Sequence, residues 1–332
     1  MDLWSGPMTG QTVAFLLAEL AVILGLIGLE LRRHTRTESV VPRRAQGLVR
    51  DAVIRTVALL GLMAVVFTVI GSLFGAGGAA VALAMAAATA LRSFWQTGPA
   101  ILARCGARSV TDPNLIEAVQ ELAAKAGIPA PRILEIQEPH PNAFALGSNP
   151  AHASIILTVG LRRRLTYEEL RAVMGHEISH ITNRDTLSAT LGVTLLSAIG
   201  RLALLLGLIG LAVRRQGGGA LMFLAIWLPF SALVLRLAMP RSQAYQADRE
   251  GAVLCGSPDD LIRALIKLDA STRRVASITA NDQPALAALF IVDPLPNLRV
   301  GRLFAAHPPI AKRIERLAAM ILSPPADRAS TK

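Results

Sequence analysis

Residues 166–187 read Thr166-Tyr167-Glu168-Glu169-Leu170-Arg171-Ala172-Val173-Met174-Gly175-His176-Glu177-Ile178-Ser179-His180-Ile181-Thr182-Asn183-Arg184-Asp185-Thr186-Leu187. Thr166 followed three residues later by Glu169 is a capping-box signature, and it predicts a helix from about 167 to 183. Leu170, Val173, Met174 and Ile178 recur at helical spacing and give that helix a packing side. His176 and His180 stand four apart, so both imidazoles project from one face about a turn apart and can reach a single tetrahedral ion. Glu177 lies beside them, placed to take a proton from an attacking water and hand it to a leaving amine. Zinc suits this pattern because it lowers the pKa of a bound water toward neutrality and polarises a scissile carbonyl. The five-residue string occurs by chance in long sequences, and its bland alternative is two surface histidines flanking a glutamate. The cap, the apolar side and a preceding strand favour the metal site.

Outward from this helix, the chain divides into polar and apolar stretches. Residues 112–127 are amphipathic, with Leu115, Ile116, Val119, Leu122 and Ala123 at helical spacing, and they end at Gly127-Ile128-Pro129. Residues 132–137 and 153–159 read as strands, the second β-branched and bounded by Gly160. Strand 153–159 is a candidate edge to which an extended peptide could add, unless it lies in the sheet interior. The expected fold is mostly α, with an α+β catalytic domain of zincin type made from 94–187 and 240–332.

The apolar runs account for the unusual composition. Charged residues are 17% of the 332-residue chain and apolar residues 52%, against about 25% charged in an ordinary soluble domain. Stretches 11–31, 52–74, 76–92, 188–211 and 219–239 are each long enough, or nearly so, for the ~20 apolar residues of a membrane span. They predict an N-terminal membrane region over 1–93 and a transmembrane hairpin over 188–239. Six arginines lie between residues 32 and 50, beside apolar segments. By the positive-inside rule that loop is cytoplasmic, and both polar segments return to the cytoplasm with it. The net charge of +11 is therefore read as membrane topology. With aromatics at only 4% and no basic stripe, a nucleic-acid partner is not expected. Residues 1–10 lack a secretory signal, so the first run is expected to be a retained anchor. Cys105 and Cys255 form no framework, which agrees with a reducing compartment. Glu19, in mid-span, is read as a buried, hydrogen-bonded carboxyl in preference to a proton path.

From residue 56 to the end the chain resembles the HtpX group of integral-membrane zinc metalloproteases, relatives of the CAAX prenyl endopeptidases. Four stretches carry the resemblance: Asn142-Ala143-Phe144-Ala145-Leu146-Gly147; residues 172–187; Ala247-Asp248 with Ala252; and His307-Pro308-Pro309 with Arg313-Ile314. The helix at 11–31 looks like an addition to the usual four-span plan. The resemblance implies one zinc ion per chain on His176 and His180, with Glu177 as general base and then acid. It also implies Asn142 and His307 as oxyanion stabilisers, Asp248 behind a histidine ligand, and Asp185 either orienting His180 or ending the helix. His34, His140 and His152 have no spacing that ties them to the site.

One departure stands out. The family's third ligand is a glutamate four residues before the Ala-Asp aspartate, and here that position is Ala244. A methyl group cannot hold zinc, and Glu250 lies well round the helix from it. Three readings follow: a deliberate inactivating substitution, a natural pseudoenzyme, or a rearranged site that uses Asp248. The first is favoured because every other motif is intact. In all but the last, zinc is held weakly or not at all.

The resemblance implies an inner-membrane endopeptidase that cleaves misfolded or damaged membrane proteins on the cytoplasmic side, inactive or nearly so with Ala244. Its rivals are a proteolytically dead binder of unfolded segments, a transporter using Glu19, and a processor of prenylated or other specific peptides.

Overall fold

All five residues of Ser154–Thr158 are buried, and the domain is built around them. The structure is a computed structural model that describes residues 105–147, 149–193, 238–272, 288–293 and 307–322. It also describes 54–59, 61–62, 64–65, 102–103, 274–275, 277–279 and single positions at 77, 84, 88, 196, 234 and 286. The chain forms two compact units, 1–97 and 98–332. In the first, residues 54–59 are helical. The predicted spans lie wholly or largely outside the described residues. Among the described residues, no helix is long and apolar enough to cross a membrane.

The second unit is mostly helical with one small mixed sheet. Its elements are β1 (Arg108–Ser109), α1 (Pro113–Ala126), β2 (Arg132–Ile136), β3 (Ala143–Leu146), β4 (Ser154–Thr158), α2 (Val159–Arg164), α3 (Tyr167–Thr182), α4 (Arg241–Cys255), α5 (Pro258–Thr272) and α6 (Ile310–Leu322). Residues 185–193 are helical as well. The sheet order is β1-β2-β4-β3, with β2 and β4 parallel and the outer pairs antiparallel. A strand paired on both sides and covered on both faces reads as a continuous apolar run, which is why Ile155-Ile156-Leu157 shows no polar alternation.

Side chains on β4 alternate between two cores, as a two-residue period requires. Ile155 and Leu157 join α1, α3 and α5 through Leu122, Val173, Met174, Ile178 and Leu265. Ile156 points to the opposite face and meets Phe144, Ile136, Ala189 and Phe290. Helix α1 starts where predicted, with Asp112 accepting from the Asn114 N–H at 3.1 Å and Pro113 in the first turn. It ends at Gly127, whose φ of 69° is the left-handed cap that glycine adopts without cost.

Strand 153–159 is not an edge: β4 lies between β2 and β3, with pairs such as Ile156–Leu134 and Ile156–Phe144. The edge on that side is β3, which the sequence reading left unassigned. Part of it is already covered, because the Ile291 N–H donates to the Ala143 carbonyl at 3.0 Å.

Candidate active site

Helix α3 carries both histidines, and its capping box forms in full. The Thr166 side chain accepts from the Glu169 N–H, and the Glu169 carboxylate accepts from the Thr166 N–H at 2.9 Å. This fixes the helix start ten residues before His176, and the apolar side of the helix seats against β4 and α5. The two imidazole rings lie edge to face with centroids 4.8 Å apart.

Helix α4 crosses α3 at backbone contact. A Cβ added to Gly175 would come within 2.9 Å of the Gly251 carbonyl oxygen. One added to Gly251 would reach 2.6 Å from the His176 nitrogen. Only glycine on both helices permits that approach. It sets Asp248 Oδ1 3.0 Å from His176 Nδ1, within ion-pair distance though not aligned as a hydrogen bond. Arg313, fully buried, grips the same carboxylate with both prongs: Nε donates to Oδ2 at 2.7 Å and Nη2 to Oδ1 at 2.6 Å. Its Nη1 donates to the Ile291 carbonyl at 2.6 Å.

The second histidine is backed in the same way. His180 Nδ1 stands 3.1 Å from Asp185 Oδ2, and the Gln243 amide donates to Asp185 Oδ1. Each ring thus has a carboxylate behind Nδ1, which fixes its orientation and leaves Nε2 for another partner.

Burial and charge set the protonation of the group. Burial pushes the Glu177 carboxyl up to about 7, although His180, Arg313 and a hydrogen bond from the Ala145 backbone pull it down. Burial takes His176 down to about 4 against the opposing pull of Asp248. Burial would lower His180 too, but Asp185, Glu177 and Asp248 outweigh it and the value is raised. Asp248 is held well below the usual carboxylate range: its own burial opposes this, and the Arg313 guanidinium overcomes it.

Glu177 and His180 open onto a cavity of ≈ 40 Å³, also lined by Ala145, Gln243, Ala244 and His307. That volume is enough for a few waters. Both ring nitrogens of His307 are sealed from solvent and have no hydrogen-bond partner. Burial, with Arg313 and the two helix histidines nearby, holds its pKa well below the usual range.

Does the donor set fit a metal? His176 Nε2 is buried without a hydrogen-bond partner, next to a second imidazole, which is the environment a cation would satisfy. Two donors therefore fit. Ala244, 3% exposed on the cavity wall, supplies none. Among the described residues, no three His, Cys, Asp or Glu side chains converge on one ion position. Asp248 is taken up by Arg313 and faces Nδ1 of His176, the wrong side of the ring for a shared ion. Glu250 accepts from Asn183 Nδ2 at 2.6 Å and from Gln246 Nε2 at 2.9 Å.

Asn142 does not present a free amide. Its Nδ2 donates to the Val292 carbonyl at 2.8 Å, and its Oδ1 accepts from the Val292 and Ala143 N–H groups at 3.3 and 3.1 Å. This side chain mimics a strand partner and ties segment 290–292 to the start of β3. His140 is fully buried against Phe290, His152 pairs with Asn149, and His34 lies outside the described residues. Sequence reasoning assigned no role to Arg313 or Gln243. For Arg313 a signal existed: it shares a buried helical stripe with Leu317, where an arginine is out of place unless paired.

The model of peptidase family M48 matches residues 109–321. A protein described as "Protease HtpX homolog" from Acidiphilium cryptum (strain JF-5) is 42% identical over 272 residues, spanning 80% of this chain and 95% of its own. The crystal structure of S. mikatae Ste24p is 15% identical with a TM-score of 0.42, over 89% of this chain and 67% of that one, a loose likeness. The chain belongs to peptidase family M48, a family of zinc metalloproteases.

Proposed function

We propose that this chain is built as a membrane-embedded, zinc-dependent endopeptidase that cuts misfolded or damaged membrane proteins on the cytoplasmic side. The observation that carries the reading is the pair of carboxylate-backed imidazoles, His176–Asp248 and His180–Asp185, flanking a buried Glu177. His176 and His180 would hold the ion through Nε2. When bound, zinc lowers the pKa of a water and polarises the carbonyl to be cut. Glu177, its carboxyl pushed up to about 7 by burial, would accept a proton from an attacking water at neutral pH and give it to the leaving amine. Asp248 and Asp185 hold the two rings in register throughout. Of the two groups expected to meet the oxyanion, Asn142 is engaged with Val292, which leaves His307 at the cavity wall. The membrane setting rests on the apolar runs at 11–31, 52–74, 76–92, 188–211 and 219–239.

The test is cleavage of an unfolded membrane protein in proteoliposomes by the Ala244→Glu variant, with and without a chelator. Metal-dependent cleavage is expected, and none at all would sink the reading. Ala244 favours a second reading, a binder of unfolded segments that does not cut. That reading predicts tight substrate capture by the unaltered chain, unchanged in Glu177→Gln.

A further inference from the structure

We infer that Arg184 is a positioning residue for His180: its left-handed backbone breaks the chain after α3, so that Asp185 turns back behind the imidazole. The inference rests on the reading that His180 is a metal ligand. Arg184 has φ 58° and is the only non-glycine residue with positive φ among the described residues. The other positive-φ positions described are all glycine: Gly106, Gly127, Gly147 and Gly256. A left-handed backbone is uncommon for arginine, and helices that end this way usually place glycine or asparagine there. Backbone held in a sparsely populated region tends to cluster at functional sites. Helix geometry shows what the turn accomplishes. An unbroken helix advances about 100° per residue, so a side chain five positions beyond His180 would stand about 140° round from it. Asp185 instead has Oδ2 3.1 Å from His180 Nδ1.

The turn is clasped on both sides. Helix α3 closes with the Arg184 N–H donating to the Ile181 carbonyl at 3.1 Å and the Asn183 N–H to the Ser179 carbonyl at 2.9 Å. Asn183 Nδ2 then ties the turn to Glu250 of α4 at 2.6 Å. A new helix starts at once over 185–193. Within it the buried Ser188 hydroxyl lies 3.1 Å from the Asp185 carbonyl and 2.9 Å from that of Ala238. The second carboxylate oxygen of Asp185 accepts from the Gln243 amide of α4. The carboxylate is therefore aimed by backbone direction at 184 and held by α4 on its far side. Such a partner behind a ligating imidazole fixes the ring's orientation and strengthens its hold on a metal.

The test uses the full chain in detergent with Ala244→Glu throughout, stripped of metal and titrated with Zn²⁺ against a chromophoric chelator. Arg184→Gly and Arg184→Asn, both at ease in the left-handed region, are expected to bind as the Ala244→Glu background does. Arg184→Val, whose branched Cβ resists that region, is expected to bind about 10–100-fold more weakly, as is Asp185→Ala. Adding Arg184→Val to Asp185→Ala is expected to cost nothing further, because the turn acts through that carboxylate. A merely structural residue would weaken both backgrounds alike. Arg184→Thr, also β-branched, is run beside the valine variant in case the latter does not fold, and melting curves establish which variants do. Full zinc affinity in a folded β-branched variant overturns the inference. So does weakening by glycine and asparagine as large as that by valine, because the guanidinium and not the turn would then matter. A valine effect that persists undiminished in Asp185→Ala overturns it as well. An Ala244→Glu background that binds no zinc would instead overturn the underlying metalloprotease reading, and the role of Arg184 with it.

Discussion

Gly251 touches His176 through backbone alone: a Cβ on the glycine would fall 2.8 Å from the histidine Cα. The contact lets α4 pass close enough for Asp248 to stand behind His176. Gly251→Ala must push the two helices apart or strain them, a cost of about 1–3 kcal/mol for overpacking. The expected result is a lower melting temperature and, in an Ala244→Glu background, weaker zinc binding. An alanine variant that matches the parent in both would show the contact to be slack.

Arg313 neutralises a carboxylate that has almost no access to water. Arg313→Ala leaves the Asp248 charge buried and unpaired, a loss of about 3–5 kcal/mol. Arg313→Lys recovers only part of this, because a single ammonium cannot reproduce the two-pronged grip. Denaturant unfolding of the three proteins checks the order. Asp248 also fixes an acid limit. Its folded pKa lies below its unfolded value near 3.9, so its contribution is present above that value and is lost progressively as pH falls from there to the folded value.

Glu177 gives the opposite sign. Burial raises its folded pKa to about 7 from an ordinary 4.5, so between these values the folded state holds more protons than the unfolded one. The metal-free protein is therefore expected to lose stability as pH rises through that window, by up to about 3 kcal/mol. Glu177→Gln abolishes this slope and is the more stable protein at pH 8. In the Ala244→Glu background the same substitution should keep zinc bound and reduce turnover by about 10²–10⁴-fold. Melting curves across pH and single-turnover assays separate the two effects.

Asn142→Ala removes the side chain that fastens Val292 to β3. Losing these bonds leaves the buried Val292 N–H and C=O groups unpaired, at about 1–3 kcal/mol each. The expected sign is faster proteolysis near residues 288–293 than in the parent. If catalysis in an Ala244→Glu background falls while that segment stays protected, Asn142 touches the reaction directly.

Helix α3 was legible because its signals are local. Thr166 and Glu169 cap each other, the apolar residues recur along one face, and His176 and His180 need only a helical backbone to share a side. Helix α1 was legible for the same reason, from Asp112-Pro113 to Gly127. What the sequence hid is non-local. Nothing near Asn142 announces Val292, 150 positions away. The glycine pair at α3 and α4 reads as two unremarkable glycines until the helices cross. The strand at 153–159 was visible, but whether it lay inside or at the edge depended on β3, four residues that alternate too briefly to be read.

The Asp248–Arg313 grip also dictates timing. Ribosomal synthesis delivers His176 and His180 well before Ile291, which straps β3, and Arg313, which fixes Asp248 behind them. Pairings so far apart in the chain form late, after the loop between them has closed. Between those points an emerging polypeptide carries both imidazoles and the glutamate without the Arg313 grip that positions Asp248 behind them. The constellation behind His176 is therefore assembled only once Arg313 has been made.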